Sequence, residues 1–215
     1  MLFIQLAASD PLFYFSWIFT VVISIILHEL AHGWVAIWQG DDTPRIQKRL
    51  TPDPLVHMGP YSLITLALFG IAWGQMPINP NRFRSKFGEA YVAGAGPAMN
   101  LLLSFGMLTL LAVLQVNSLL PQTQTGNNLE LFMRVFGFAN MALALFNLVP
   151  VPPLDGAKIL ENLNESYARL VNDPDKQSMF GIMFLLVFIF MGSVIFKYAI
   201  KFSDLYLSQI TQLLQ

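Results

Sequence analysis

The sequence has no cysteine and only three histidines among its 215 residues. Without thiols there is no disulfide scaffold, no thiolate metal site and no cysteine nucleophile, and any metal must be held by His, Asp or Glu. Charge is scarce as well: Asp, Glu, Lys and Arg make up 12% of the chain, where an average soluble domain approaches about a quarter. With a formal net charge of −1 there is no basic field to attract nucleic acid, so nucleic acid is not an expected partner. No basic region precedes the first apolar run, and no small-residue cleavage site interrupts it before Glu29 and His32, so it reads as a retained membrane helix, not a signal peptide. What is abundant is apolar: 55% of residues are hydrophobic and the mean hydropathy is +0.56. That composition suits a bilayer. The length suits one domain, residues 1–215, with no tail left for a second soluble module.

The apolar runs predict an all-α membrane protein, a bundle of about four transmembrane helices over 11–39, 91–116, 129–149 and 179–198. Asp10-Pro11 is a good start for the first, which is long enough to cross a hydrocarbon core of about 30 Å and carries residues 28–32 past its midplane. Residues 61–73 are apolar but too short to span, and Gly70, Gly74 and Pro77 punctuate their end, which predicts a short re-entrant or extended element. Four prolines, at 44, 52, 54 and 60, predict an extended surface loop over 43–60 with room for short strands. Gly94, Gly96 and Pro97 predict an interruption early in the second long helix. Ile159, Leu160, Leu163, Tyr167 and Leu170 recur at helical spacing in a polar stretch, the pattern of an amphipathic surface helix over 156–176. Lys and Arg collect in 40–60, 78–90 and 155–177 and are missing from the N-terminus and 117–128, which puts the basic loops in the cytoplasm and the N-terminus outside. Only Lys197 and Lys201 oppose that orientation. Loops on either side of 61–73 then share a compartment, a second argument that this segment turns back.

His28-Glu29-Leu30-Ala31-His32 has the form H-E-x-x-H. On a helix the i, i+4 spacing puts both imidazoles on one face, close enough to share one tetrahedral ion, and Glu29 can reach a water on that ion. A carboxylate in the inner half of an apolar helix costs on the order of 3 kcal/mol, so Glu29 needs a partner or a task. Catalytic zinc takes three protein ligands and a water. The best third ligand is Asp155, at the end of Asn147-Leu-Val-Pro150-Val-Pro152-Pro153-Leu154-Asp155-Gly156, where broken backbone can approach another helix. Glu89, Asp53 and His57 are the alternatives, in basic or proline-rich loops where solvated surface roles are expected.

The chain resembles the site-2 protease family of membrane-embedded, M50-type zinc metalloproteases. The H-E-x-x-H at 28–32, Gly96-Pro97-Ala98-Met99-Asn100, and the motif at 147–156 occur in the family's order, and the similarity includes Arg49-Leu50-Thr51 through His57 and Trp73 to Pro80. The resemblance implies zinc on His28, His32 and Asp155, Glu29 as the catalytic base, and Asn147 as a polar group that positions or stabilises the reacting carbonyl. It implies hydrolysis of peptide bonds within or next to transmembrane segments, with a single-span membrane protein as substrate, membrane lipid around it, and Gly and Ala faces that would allow a homodimer. It also implies a multi-pass protein of the plasma membrane with its site toward the cytoplasm. Asn100 and Gly96 are expected to shape helix packing. The extended stretch from Gly74 to Asn79 is expected to offer a free edge on which an unwound substrate pairs. Gly59 stands where the family often has an acidic residue, two positions after His57, and no stretch resembles a PDZ or CBS domain.

Overall fold

The computed structural model describes residues 2–215. Asp10 opens the first long helix, α1 (Pro11–Trp38): its carboxylate accepts the Phe13 N–H at 3.1 Å, and Pro11 sits in the first turn, where a missing N–H costs nothing. Three more helical runs are long and apolar enough to cross a membrane: α3 (Gly88–Val116), α4 (Gln124–Asn147) and Pro174–Leu214. Between α1 and α3 lies α2 (Gly59–Phe69), and after α4 come the short helices α5 (Asp155–Leu163) and α6 (Glu165–Val171). The last run holds α7 (Gln177–Leu186) and α8 (Gly192–Leu214), joined by a π-helical turn at Val187–Met191. No strand occurs among the described residues, so the fold is all-α as expected.

In hydrocarbon, helices gain little from burying more hydrocarbon and associate by close packing and a few hydrogen bonds. The chain follows that rule. Leu108 packs into the gap left by Gly137, and Ser104 Oγ donates to the Gly137 carbonyl at 2.8 Å, drawing α3 onto α4. Leu111, Ala112 and Met133 close on Leu207 of α8, and Met141 and Ala142 on Ala199. By contrast α7 buries only Phe180, and stands beside α4 through Phe184, which with Phe188 of the π-helical turn meets Phe146.

The short apolar segment does turn back. α2 reaches the N-terminal part of α1, where the Ala67 carbonyl accepts from Tyr14 Oη (3.0 Å) and the Gly70 carbonyl from Trp17 Nε1 (2.9 Å). Gly70 ends it with φ of +75°, a left-handed conformation that a side chain would resist. The chain then returns extended past His57 and Ser62 to Asp41, just beyond the other end of α1.

Several boundaries differ from expectation. Residues 43–60 are not an extended loop: Pro44 and Pro54 each start a helical turn, Thr43–Ile46 and Pro54–His57, because proline is preorganised for a first turn. Helix α3 runs unbroken through Gly94, Gly96 and Pro97, so the expected interruption is absent. α4 starts at Gln124, five residues early, since Thr123 Oγ1 caps it by accepting the Gly126 N–H. The amphipathic stretch divides at Asn164, whose side chain caps α6 through the Tyr167 N–H. The last helix continues past 198 to Leu214 because Ala199, Ser203 and Leu207, four apart, keep one face buried.

Candidate metal centre

His28 and His32 stand one turn apart on α1 with ring centroids 4.6 Å apart and their Nε2 atoms 2.9 Å apart. Each Nδ1 has an acceptor at 2.6 Å: Asn100 Oδ1 for His28 and the Val92 carbonyl for His32. With the ring hydrogens on Nδ1, both Nε2 atoms present lone pairs to the same point. Opposite them is Asp155, the first residue of α5, with Oδ2 3.1 Å from His28 Nε2 and Oδ1 3.5 Å from His32 Nε2. Asp155 Oδ2 is buried and has no hydrogen-bond donor. Two imidazole lone pairs and a carboxylate thus converge with no proton assigned between them, an arrangement that a cation satisfies. The three ligand atoms lie within 4.8 Å of one another, and N and O donors of this kind suit zinc.

Gly96 makes this convergence possible. A Cβ there would overlap His28 Nε2 and come to 2.5 Å from His32 Nε2. Gly156 lets the turn before α5 fold back in the same way, because a Cβ would run into the Leu148 and Val149 carbonyls. The Pro-rich turn after α4 therefore delivers Asp155 to α1 across α3, where Asn162 of α5 accepts the Ala90 N–H and donates to the Lys86 carbonyl.

Glu29 is 7% exposed, and among the described residues no donor reaches its carboxylate. It faces a cavity of about 870 Å³ that also takes in the His28, His32 and Asp155 side chains, Asn147, and the extended stretch from Ile71 to Ile78. Gly74 lies directly over Glu29: a Cβ at that position would be 2.6 Å from Glu29 Oε1. Asn147 borders the same space, with one amide hydrogen donated to the Leu143 carbonyl at 3.0 Å and the other without an acceptor among the described residues.

Residues 16–191 match Peptidase family M50. The chain belongs to that family. Relatives named "Putative zinc metalloprotease" are YwhC of Bacillus subtilis, 34% identical over 80% of this chain and 79% of that one; sll0528 of Synechocystis, 31% identical over 75% and 35%; and Rip2 of Mycobacterium tuberculosis, 28% identical over 77% and 63%. No solved structure gives a significant match. As an M50 peptidase with four helices fit to span a bilayer, the protein is a multi-pass membrane zinc metalloprotease.

The geometry brings His28, Glu29, His32, Asn147 and Asp155 around one cavity of this M50 peptidase. It does not bring the alternatives to the metal position. Asp53 caps the turn Pro54–His57 through the Leu55 N–H, and Glu89 pairs with Lys158 at 3.8 Å. His57 is not on the solvated surface that its loop suggested: it is 1% exposed, with Nε2 on the Thr51 carbonyl and its own carbonyl taking the Gln75 N–H. Sequence reasoning missed Asn100 as a partner of His28 and Gly96 as the floor under the imidazoles. The G-P-x-x-N pattern held that signal. Gly96 and Asn100 are four apart on α3, the same spacing as the two histidines they serve on α1.

Proposed function

We propose that this enzyme hydrolyses peptide bonds within or next to transmembrane segments, holding zinc through His28, His32 and Asp155 and using Glu29 as its base. The observation that carries the reading is the cavity beside α1, where three converging acceptors and a carboxylate without a donor among the described residues share one space with an extended backbone. Zinc bound there supplies a Lewis acid for the scissile carbonyl and an acidified water at neutral pH. Glu29 accepts the proton of the attacking water and later gives it to the leaving amine. Asn147, with one N–H free toward the cavity, donates to the carbonyl oxygen as negative charge builds on it.

Residues 70–79 prepare the substrate. Ser62 Oγ both accepts the Trp73 N–H (2.9 Å) and donates to the Trp73 carbonyl (2.7 Å); the His57 carbonyl takes the Gln75 N–H (3.1 Å), and Asp41 takes the Asn79 N–H (2.7 Å). Trp73, Gln75 and Asn79 are thus tied to the protein. Gly74, Met76 and Ile78 lie between them with N–H groups that no described residue accepts, an open edge on which an unwound segment adds as a strand. The substrate is a single-span membrane protein entering from lipid, and the work is regulated intramembrane proteolysis at the plasma membrane, with the site on the cytoplasmic side beside the basic loops. Residues 1–215 act as one catalytic core, and pairing through Gly and Ala faces gives a homodimer.

The deciding experiment compares wild type with Glu29→Gln for bound zinc and for cleavage of a single-span reporter in detergent. Equal zinc with cleavage lost by about 10³-fold or more is expected, because the base is removed while the ligands stay. Cleavage by the variant at the wild-type rate would overturn the assignment.

A further inference from the structure

His28 can offer Nε2 to a metal only when its hydrogen sits on Nδ1, and an imidazole does not choose that tautomer by itself. Its partner, Asn100 Oδ1, does not guarantee the choice either, because a primary amide rotated by half a turn presents a donor where its acceptor was. Something must hold the Asn100 amide. Asn100 Nδ2 donates to Asn140 Oδ1 at 3.0 Å, and Asn140 Nδ2 donates to the Phe136 carbonyl at 3.0 Å. Asn100 and Asn140 are both fully buried, on α3 and α4, so no water competes for these bonds.

The sequence of bonds has a direction. A backbone carbonyl can only accept, so Asn140 must turn its NH2 to Phe136 and its oxygen to Asn100. Asn100 must then turn its NH2 to Asn140 and its oxygen to His28, which leaves Nδ1 as the donor and Nε2 bare. Reversing any member would set two donors or two acceptors face to face in a low-dielectric interior, where an unmet polar group is costly. We propose that Asn140, which neither hydrogen-bonds to His28 nor lines the cavity, is a positioning residue that fixes the His28 tautomer through Asn100. His32 needs no such relay, because its Nδ1 meets the Val92 carbonyl directly.

This inference rests on His28 being a metal ligand, and two readouts keep the two questions apart. The first is the 15N imidazole spectrum of the metal-free protein, which reports the tautomer without zinc. Wild type shows His28 with hydrogen on Nδ1, and Asn140→Leu shows a mixture. The second is zinc retention against a competing chelator, where loss of an outer partner typically costs about 10–100-fold. Asn140→Leu should lose about tenfold. Ser104→Ala, which removes another buried bond between α3 and α4, should lose less than about twofold. Asn100→Asp supplies an acceptor whichever way it turns, so on that background Asn140→Leu should no longer weaken zinc retention. The inference is overturned if the tautomer is unchanged in Asn140→Leu, if Ser104→Ala loses as much zinc, or if the loss persists on the Asn100→Asp background. A wild-type protein that showed the Nδ1 tautomer and yet bound no zinc would overturn the metal site and leave the relay standing.

Discussion

Across the cavity from the imidazoles, the chain from Gly70 to Asn79 is extended, partly exposed, and bonded to the protein along one edge, and beside it α7 buries a single side chain. The wall formed by α1, α3 and α4 is helical, and there Asn100, Asn140, Ser104 and both Nδ1 atoms all have partners. On the proposed function, one wall would hold fixed atoms and the other would receive a guest. A ligand shell tolerates little displacement, because a shift of about 1 Å can cost 10²-fold, so its polar groups are bonded from behind. A surface that must accept a peptide needs unmet backbone donors, which can persist only where water or substrate reaches them.

Substitutions on each wall should therefore fail differently. The largest effect is expected for Gly96→Ala, whose methyl would enter the space of both Nε2 atoms. Zinc affinity should fall by about 10² or more and proteolysis with it, as measured by chelator competition and reporter cleavage. Gly74→Ala, on the opposite wall, would press on the Glu29 carboxylate and leave the ligands alone. Bound zinc should stay stoichiometric while kcat drops by about 10², and a loss of zinc in this variant would break the proposed division of labour. Ile78→Pro deletes one free N–H of the open edge, and should suppress cleavage by about tenfold or more with zinc content unchanged. Unaltered proteolysis would remove strand pairing from the mechanism.

The smallest expected effect concerns the anchor of that edge. Asp41 is fully buried; burial pushes its carboxyl up, but the Thr43 hydroxyl, the Asn79 and Thr43 N–H groups and Arg82 outweigh this and hold it below its ordinary value. A carboxyl depressed on folding stabilises the fold above its unfolded pKa of about 4, and that contribution fades as pH falls through the lower folded value. The Tm of wild type should decline below about pH 4 by a few degrees more than that of Asp41→Asn, which keeps an acceptor and cannot titrate. Parallel Tm profiles would show that Asp41 does not hold the strand through its charge.

The sequence made the guest wall visible only in outline and the metal wall in its most important members. H-E-x-x-H names two positions because helical periodicity is itself a geometry, and Asp155 could be picked because it ends a proline-broken stretch whose backbone can approach another helix. Asn100 and Asn140 could not be joined in the same way. Their partners lie 72 and 40 residues away in sequence, and an asparagine within a span can bond its own helix as readily as a neighbour. The glycines misled in the other direction. Gly94, Gly96 and Pro97 read as a break by local propensity, yet packing against α1 carries the helix through them, and the use of Gly96 lies in the side chain it lacks.

Asp155 begins a helix that rides on the surface, while the two histidines are fixed deep in α1. A cation shared by these three would clasp the start of α5 to the middle of α1. By reciprocity, whatever pulls α5 away from α1 would weaken the hold on that ion, and filling the site would draw α5 toward α1 by the same free energy.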